Sequence, residues 1–127
     1  MPTRTHHPGP PLDSFDALVA LLPAFETSTP DEFAHSEWEP ILTQFHDTVY
    51  ATGFMLDDFR WMDHVSEYER IVYHAPEEID GMDLDGLREL TTGIVRGERF
   101  TGGLLPKLAH EGVLTRILRR TAAVVEG

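Results

Sequence analysis

Apolar residues recur along this chain at helical spacing, and prolines and glycines cut the pattern into short segments. Phe15, Leu18, Val19, Leu22 and Phe25 form the first stripe, with Asp13 or Ser14 placed to cap it. Pro23 sits late in that stripe and is expected to end or kink the helix. A turn-like stretch over Glu26 to Asp31 follows. Glu32 to Glu39 is ambiguous: Phe33 and Trp38 are expected on the core, and His35 to Glu37 admits a short strand. Pro40 suits the first turn of a second helix, which buries Ile41, Leu42, Phe45 and Val49, turns Thr43, Gln44 and Asp47 to water, and stops at Gly53.

After a link at Phe54 to Asp58, a third helix shows Phe59, Met62, Val65, Tyr68 and Val72 on one side, widened by Trp61, and closes at Ala75-Pro76. Glu77 to Gly81 reads as an acidic loop. Asp83 caps a fourth helix with Leu84, Leu87, Leu90, Ile94 and Val95 inward, and Asp85 suits its dipole. Gly97 ends it. Pro106 is tolerated only in a first turn, so a fifth helix starts near Thr101 to Gly103, with Leu104, Leu105 and Leu108 inward. Gly112 separates it from a last helix carrying Val113, Leu114, Ile117, Leu118, Thr121 and Val125 inward and Arg116, Arg119 and Arg120 outward. With no internal repeat and no convincing strand alternation, the pattern predicts an all-α fold, a compact bundle of five or six short helices over residues 13–127, preceded by a flexible tail at 1–12.

Composition narrows the classes. A chain of 127 residues with 41% hydrophobic residues is long and apolar enough for one packed core. It has no cysteine, which removes disulfides, thiolate metal sites and a cysteine nucleophile. No signal-like segment opens the chain and no apolar run has the length of a membrane span, so a soluble, cytoplasmic protein is expected. The net charge is −12, unevenly placed: residues 1–87 carry 18 acids against three bases, residues 88–127 seven bases against four acids. The whole should be repelled by nucleic acid and anionic membrane, though its last third need not be.

Arg96 to Arg120 reads RGERFTGGLLPKLAHEGVLTRILRR. This stretch resembles a small prokaryotic family defined only by a domain of unknown function. The family's pattern runs Arg, any residue, Asp or Glu, Arg-Phe, two residues, Gly, and after a short helix an acidic residue, any one residue or none, and Gly before an apolar helix ending in paired basic residues. The matching positions are Arg96, Glu98, Arg99, Phe100, Gly103, Glu111, Gly112, Leu118, Arg119 and Arg120. LDGLRELTTGIV (84–95) and LVALLPAF (18–25) are also similar, while Leu105-Pro106 and the tail at 1–11 depart. The resemblance implies an α-rich fold and supplies no activity, cofactor or catalytic residue.

Candidate chemistry is sparse. Arg96, Glu98 and Arg99 could grip a phosphate or carboxylate, but the plainer reading is that Glu98 pairs with an arginine to brace the turn between the fourth and fifth helices. Arg116, Arg119 and Arg120 form a basic face beside a glycine turn, like a recognition helix. They sit late in the helix, where base contacts are not usually made and where arginine simply suits the dipole. Glu32-Phe-Ala-His35 has di-iron-like spacing and His64-Val-Ser-Glu67 the same spacing reversed, but the first lies between Pro30 and Pro40, too short for that site. Gly102-Gly103 before a helix offers bare amides to an anion, or just a tight turn. No nucleophile elbow, phosphate loop or dinucleotide fingerprint occurs.

The sequence therefore points to a non-enzymatic interaction or regulatory module that meets a protein partner or another copy of itself, without cofactor, through Arg96, Glu98, Arg99, Arg116, Arg119 and Arg120. An acidic decoy that occupies a basic groove of a nucleic-acid-processing protein through residues 57–85, among them Asp57, Asp58, Asp63 and Asp83, is the first alternative. A small metal- or His/carboxylate-dependent enzyme is the second.

Overall fold

Four to fourteen residues is a short run for a helix in water, so these helices depend on burying a face against each other. The computed structural model describes residues 11–27, 40–56, 59–99 and 102–126. Among them are seven α-helices and no strand: α1 (Asp16–Val19), α2 (Leu22–Thr27), α3 (Pro40–Ala51), α4 (Val65–His74), α5 (Leu84–Gly97), α6 (Leu104–His110) and α7 (Val113–Glu126). The all-α expectation holds. Phe33, Trp38 and the alternative strand at His35 to Glu37 lie outside the described residues, as does the tail up to residue 10.

The first expected helix is two helices. The chain turns at Ala20 and Leu21, which places Pro23 in the first turn of α2, where its missing N–H costs nothing. Residues Leu12–Phe15 form a 3-10 turn, and the N-cap of α1 is Phe15 without a side-chain hydrogen bond, so Ser14 does not cap it. The expected cap at Asp83 is present: its Oδ1 accepts from the Gly86 N–H at 2.8 Å. α3 ends ahead of Gly53, whose φ of 77° is open to glycine at little cost.

The expected acidic loop is a 3-10 helix, Pro76–Gly81, because Ile79 is pulled fully into the core. α7 packs on this turn and on α1, α2, α5 and α6. One core joins the elements, from Phe15, Leu18 and Phe25 through Phe45 and Val49 to Leu87, Leu90, Leu108, Leu114 and Ile117. Its aromatics meet edge to face, Phe15 with Phe54 at 5.2 Å and Phe25 with Phe45 at 5.9 Å between ring centroids. No helix among the described residues is long and apolar enough to cross a membrane.

Candidate binding groove

The uneven charge along the chain is used to hold distant segments together. Arg116 of α7 bonds Asp80 at 2.6 Å, and Arg119 reaches Glu26 of α2 at 3.2 Å. Arg120 donates through Nε to the Met82 carbonyl at 2.8 Å. Arg70 of α4 grips Glu78 with both arms, and that hydrogen bond holds the Glu78 carboxyl below its ordinary range and raises the Arg70 guanidinium. The arginines expected outward on the last helix are thus turned toward the acid-rich segment at 78–83 and α2. Among the acids of the decoy reading, Asp83 is spent on its cap, Asp63 pairs with Arg60 at 3.4 Å, and Asp57 and Asp58 lie outside the described residues.

At the corner from Arg96 to Gly103, Glu98 meets backbone amides. Glu98 Oε1 accepts from the Gly103 N–H at 3.0 Å, and Oε2 accepts from the Leu105 N–H at 2.6 Å. The start of α6, with Gly103 at φ 88°, is therefore filled by the chain's own carboxylate. Gly102-Gly103 is the tight turn of the plainer reading. Arg96 Nη2 donates to the Leu56 carbonyl at 2.9 Å. Arg99 is exposed, and its side chain makes no hydrogen bond or ion pair among the described residues. Phe100 lies outside them.

Arg96 is the last rung of a ladder that the sequence did not single out. Arg88, only 4% exposed, donates through Nε to the Phe54 carbonyl at 3.2 Å and through Nη2 to the Gly53 carbonyl at 3.0 Å. Its guanidinium stands 6.0 Å from the centroid of the Phe15 ring. Thr92 Oγ1 accepts from the Leu56 N–H at 3.1 Å. Arg88, Thr92 and Arg96, four residues apart, line one side of α5 and bond the backbone of Gly53, Phe54 and Leu56, in a link outside the helices that is buried from Phe54 to Leu56. Polar residues at i, i+4 and i+8 inside an apolar helix were the available signal.

The opposite side of α5 is open. Trp61, Met62, Val65, Tyr68, Glu69 and Val72 on the α4 side, Ile94 and Gly97 of α5, and Leu104 and Leu108 of α6 enclose a groove of about 380 Å³. That volume falls within the range of small-molecule pockets, about 300–1,000 Å³. The sequence placed Met62 in the buried stripe of the third helix; it is 67% exposed. The helix begins at Val65, and the preceding Trp61–His64 turn is 3-10, with three residues per turn, so the phase of the stripe breaks there. Tyr73 at the rim is 40% exposed, and Lys107 of α6 sits 4.7 Å from its ring centroid.

Gly93 sets the depth of this groove. A Cβ there would lie 2.5 Å from Cε2 of Tyr68, so only glycine lets the ring lie against the α5 backbone. Glu69 is the only charged side chain among the described lining residues, and it makes no hydrogen bond or ion pair among the described residues. It occupies the Val65, Tyr68, Val72 side of α4, the signal that could have marked it.

For metal chemistry, no group of three or more His, Asp or Glu among the described residues is placed to hold an ion. His46 meets Asp47 at 3.2 Å, and His64 stacks on Phe59 with centroids 5.2 Å apart. Glu32 and His35 lie outside the described residues. No curated protein and no solved structure matches the chain. A sequence family profile matches residues 11–127, nearly its whole length, and the chain belongs to that family, the family of unknown function DUF6508.

Proposed function

We propose that this protein is a non-enzymatic helical interaction module that meets a protein partner or a second copy of itself through the α4–α5–α6 groove. The observation that carries it is the exposure of Met62 and Tyr73 at the rim of an apolar groove of about 380 Å³. An apolar lining of this kind stabilises the chain little while it faces water and gains free energy when covered. Arg116, Arg119 and Arg120 already serve contacts inside the fold. Of the basic residues named from sequence, Arg99 is the one still available to a partner. Glu98 and Arg96 likewise serve the fold, since Glu98 accepts at the start of α6 and Arg96 secures the Leu56 carbonyl.

The test pairs light scattering on the purified chain with a crosslinked pull-down from the native host, using wild type and Met62→Glu. Met62 is largely exposed, so Met62→Glu is expected to unfold at the wild-type midpoint within about 0.5 kcal/mol. A stoichiometric partner or dimer present with wild type and lost with Met62→Glu supports the reading. A partner that Met62→Glu retains, or a clean pull-down with a monodisperse monomer, overturns it.

A further inference from the structure

The groove has chemistry specific enough to name its occupant, on the assumption that the interaction-module reading holds. Val65, Tyr68, Glu69 and Val72 stand at i, i+3, i+4 and i+7, one face of α4, and Leu104 and Leu108 form the facing wall on α6. A trough between two helices, floored by a third at Ile94 and Gly97, has the form that receives another helix. An apolar cavity of ~150 Å³ holds a benzene-sized group. The groove, at about 380 Å³, therefore takes at least two apolar side chains of such a helix.

Charge selects among helices. Glu69 is the only charged side chain among the described lining residues, and it has no hydrogen bond or ion pair among them. Burying it beside an apolar partner would cost free energy unless the partner supplied a cation. The whole chain stands at −12, and the Tyr73 ring already carries the Lys107 ammonium 4.7 Å from its centroid. Lys107 itself, on the α6 side, turns the occupant's basic edge toward α4.

We infer that the α4–α5–α6 groove binds an amphipathic helix of a partner protein that presents two or more apolar side chains and, beside them, a lysine or arginine to Glu69. A free peptide or a segment of a folded protein offers the same chemistry. The closing experiment uses two synthetic 18-residue helices with the same leucine face, one with lysine and one with glutamate on the flanking positions. Binding of each labelled helix to the full chain is read by fluorescence anisotropy at physiological salt. The expected result is that the lysine helix binds wild type at least about tenfold more tightly than the glutamate helix.

Three substitutions separate docking from attraction to a negative protein. Glu69→Gln is expected to weaken the lysine helix about threefold, an exposed ion pair's contribution. Glu126→Gln, which removes the same charge at the end of α7, is expected to change little. Met62→Glu is expected to weaken binding about fivefold although it adds an acid. Equal losses from Glu69→Gln and Glu126→Gln, or tighter binding to Met62→Glu, overturn the inference in favour of net charge alone. Equal binding of the two helices overturns the basic partner and leaves the interaction module standing. Failure of both helices, where wild type still captures a partner through Met62, overturns the helical occupant; failure of both with no partner overturns the module as well.

Discussion

The two sides of α5 handle backbone and side chains in opposite ways. On one side, Arg88, Thr92 and Arg96 reach the backbone of Gly53 to Leu56, and the surface is closed. On the other, Gly93 has no side chain, the Tyr68 ring lies on it, and the surface is left as a groove. The first side needs long polar residues because buried carbonyls and amides must find partners. The second needs a small residue and apolar neighbours, and it leaves Met62 and Tyr73 in water. The comparison separates two sides of one helix: a fixed internal clasp, and a groove whose apolar rim is exposed at Met62 and Tyr73.

Breaking the clasp should have the largest effect. Arg88→Ala removes the donors to the Gly53 and Phe54 carbonyls and a cation buried against Phe15. The expected loss is roughly 3–5 kcal/mol in denaturant unfolding, with a lower midpoint, because buried acceptors are left unmet. Gly93→Ala attacks the other side. Alanine raises helix propensity by about 1 kcal/mol, but the Tyr68 ring must move, so the net expectation is a loss of about 1–2 kcal/mol. The displaced ring should also narrow the groove, which a loss of binding to the lysine helix would detect. Thr92→Val keeps the shape and removes only the acceptor for the Leu56 N–H, so about 1 kcal/mol is expected, with faster exchange of that amide. If Gly93→Ala costs more than Arg88→Ala, the groove side is the tighter packed and the contrast is reversed.

Much of the fold is legible in the one-dimensional pattern. The stripes of α3, α5 and α7, the cap at Asp83, the stop at Gly53 and the proline-limited start of α6 follow from local rules that each act within about one helical turn. The misses share a cause. Ile79 sits in a run of acids and Met62 in an apolar stripe; only their neighbours decide that the first is buried and the second exposed. The break in the stripe at Met62 comes from one 3-10 turn, a shift of phase too small to show in the pattern.

The candidate residues divide in the same way. A basic corner and a basic last helix can be read from the order of residues, and so can their local reading as brace and dipole partners. That Arg116 meets Asp80, Arg119 meets Glu26 and Arg120 meets Met82 depends on contacts across 36, 93 and 38 residues. The sequence by itself determined an all-α chain, the stop of α3, the starts of α5 and α6, and its opposed charge halves, because propensity, capping and periodicity are local. Tertiary structure alone decided that most of the arginines hold the bundle together and that an apolar groove remains on α5. Pairing partners and uncovered surface exist only once distant helices are packed.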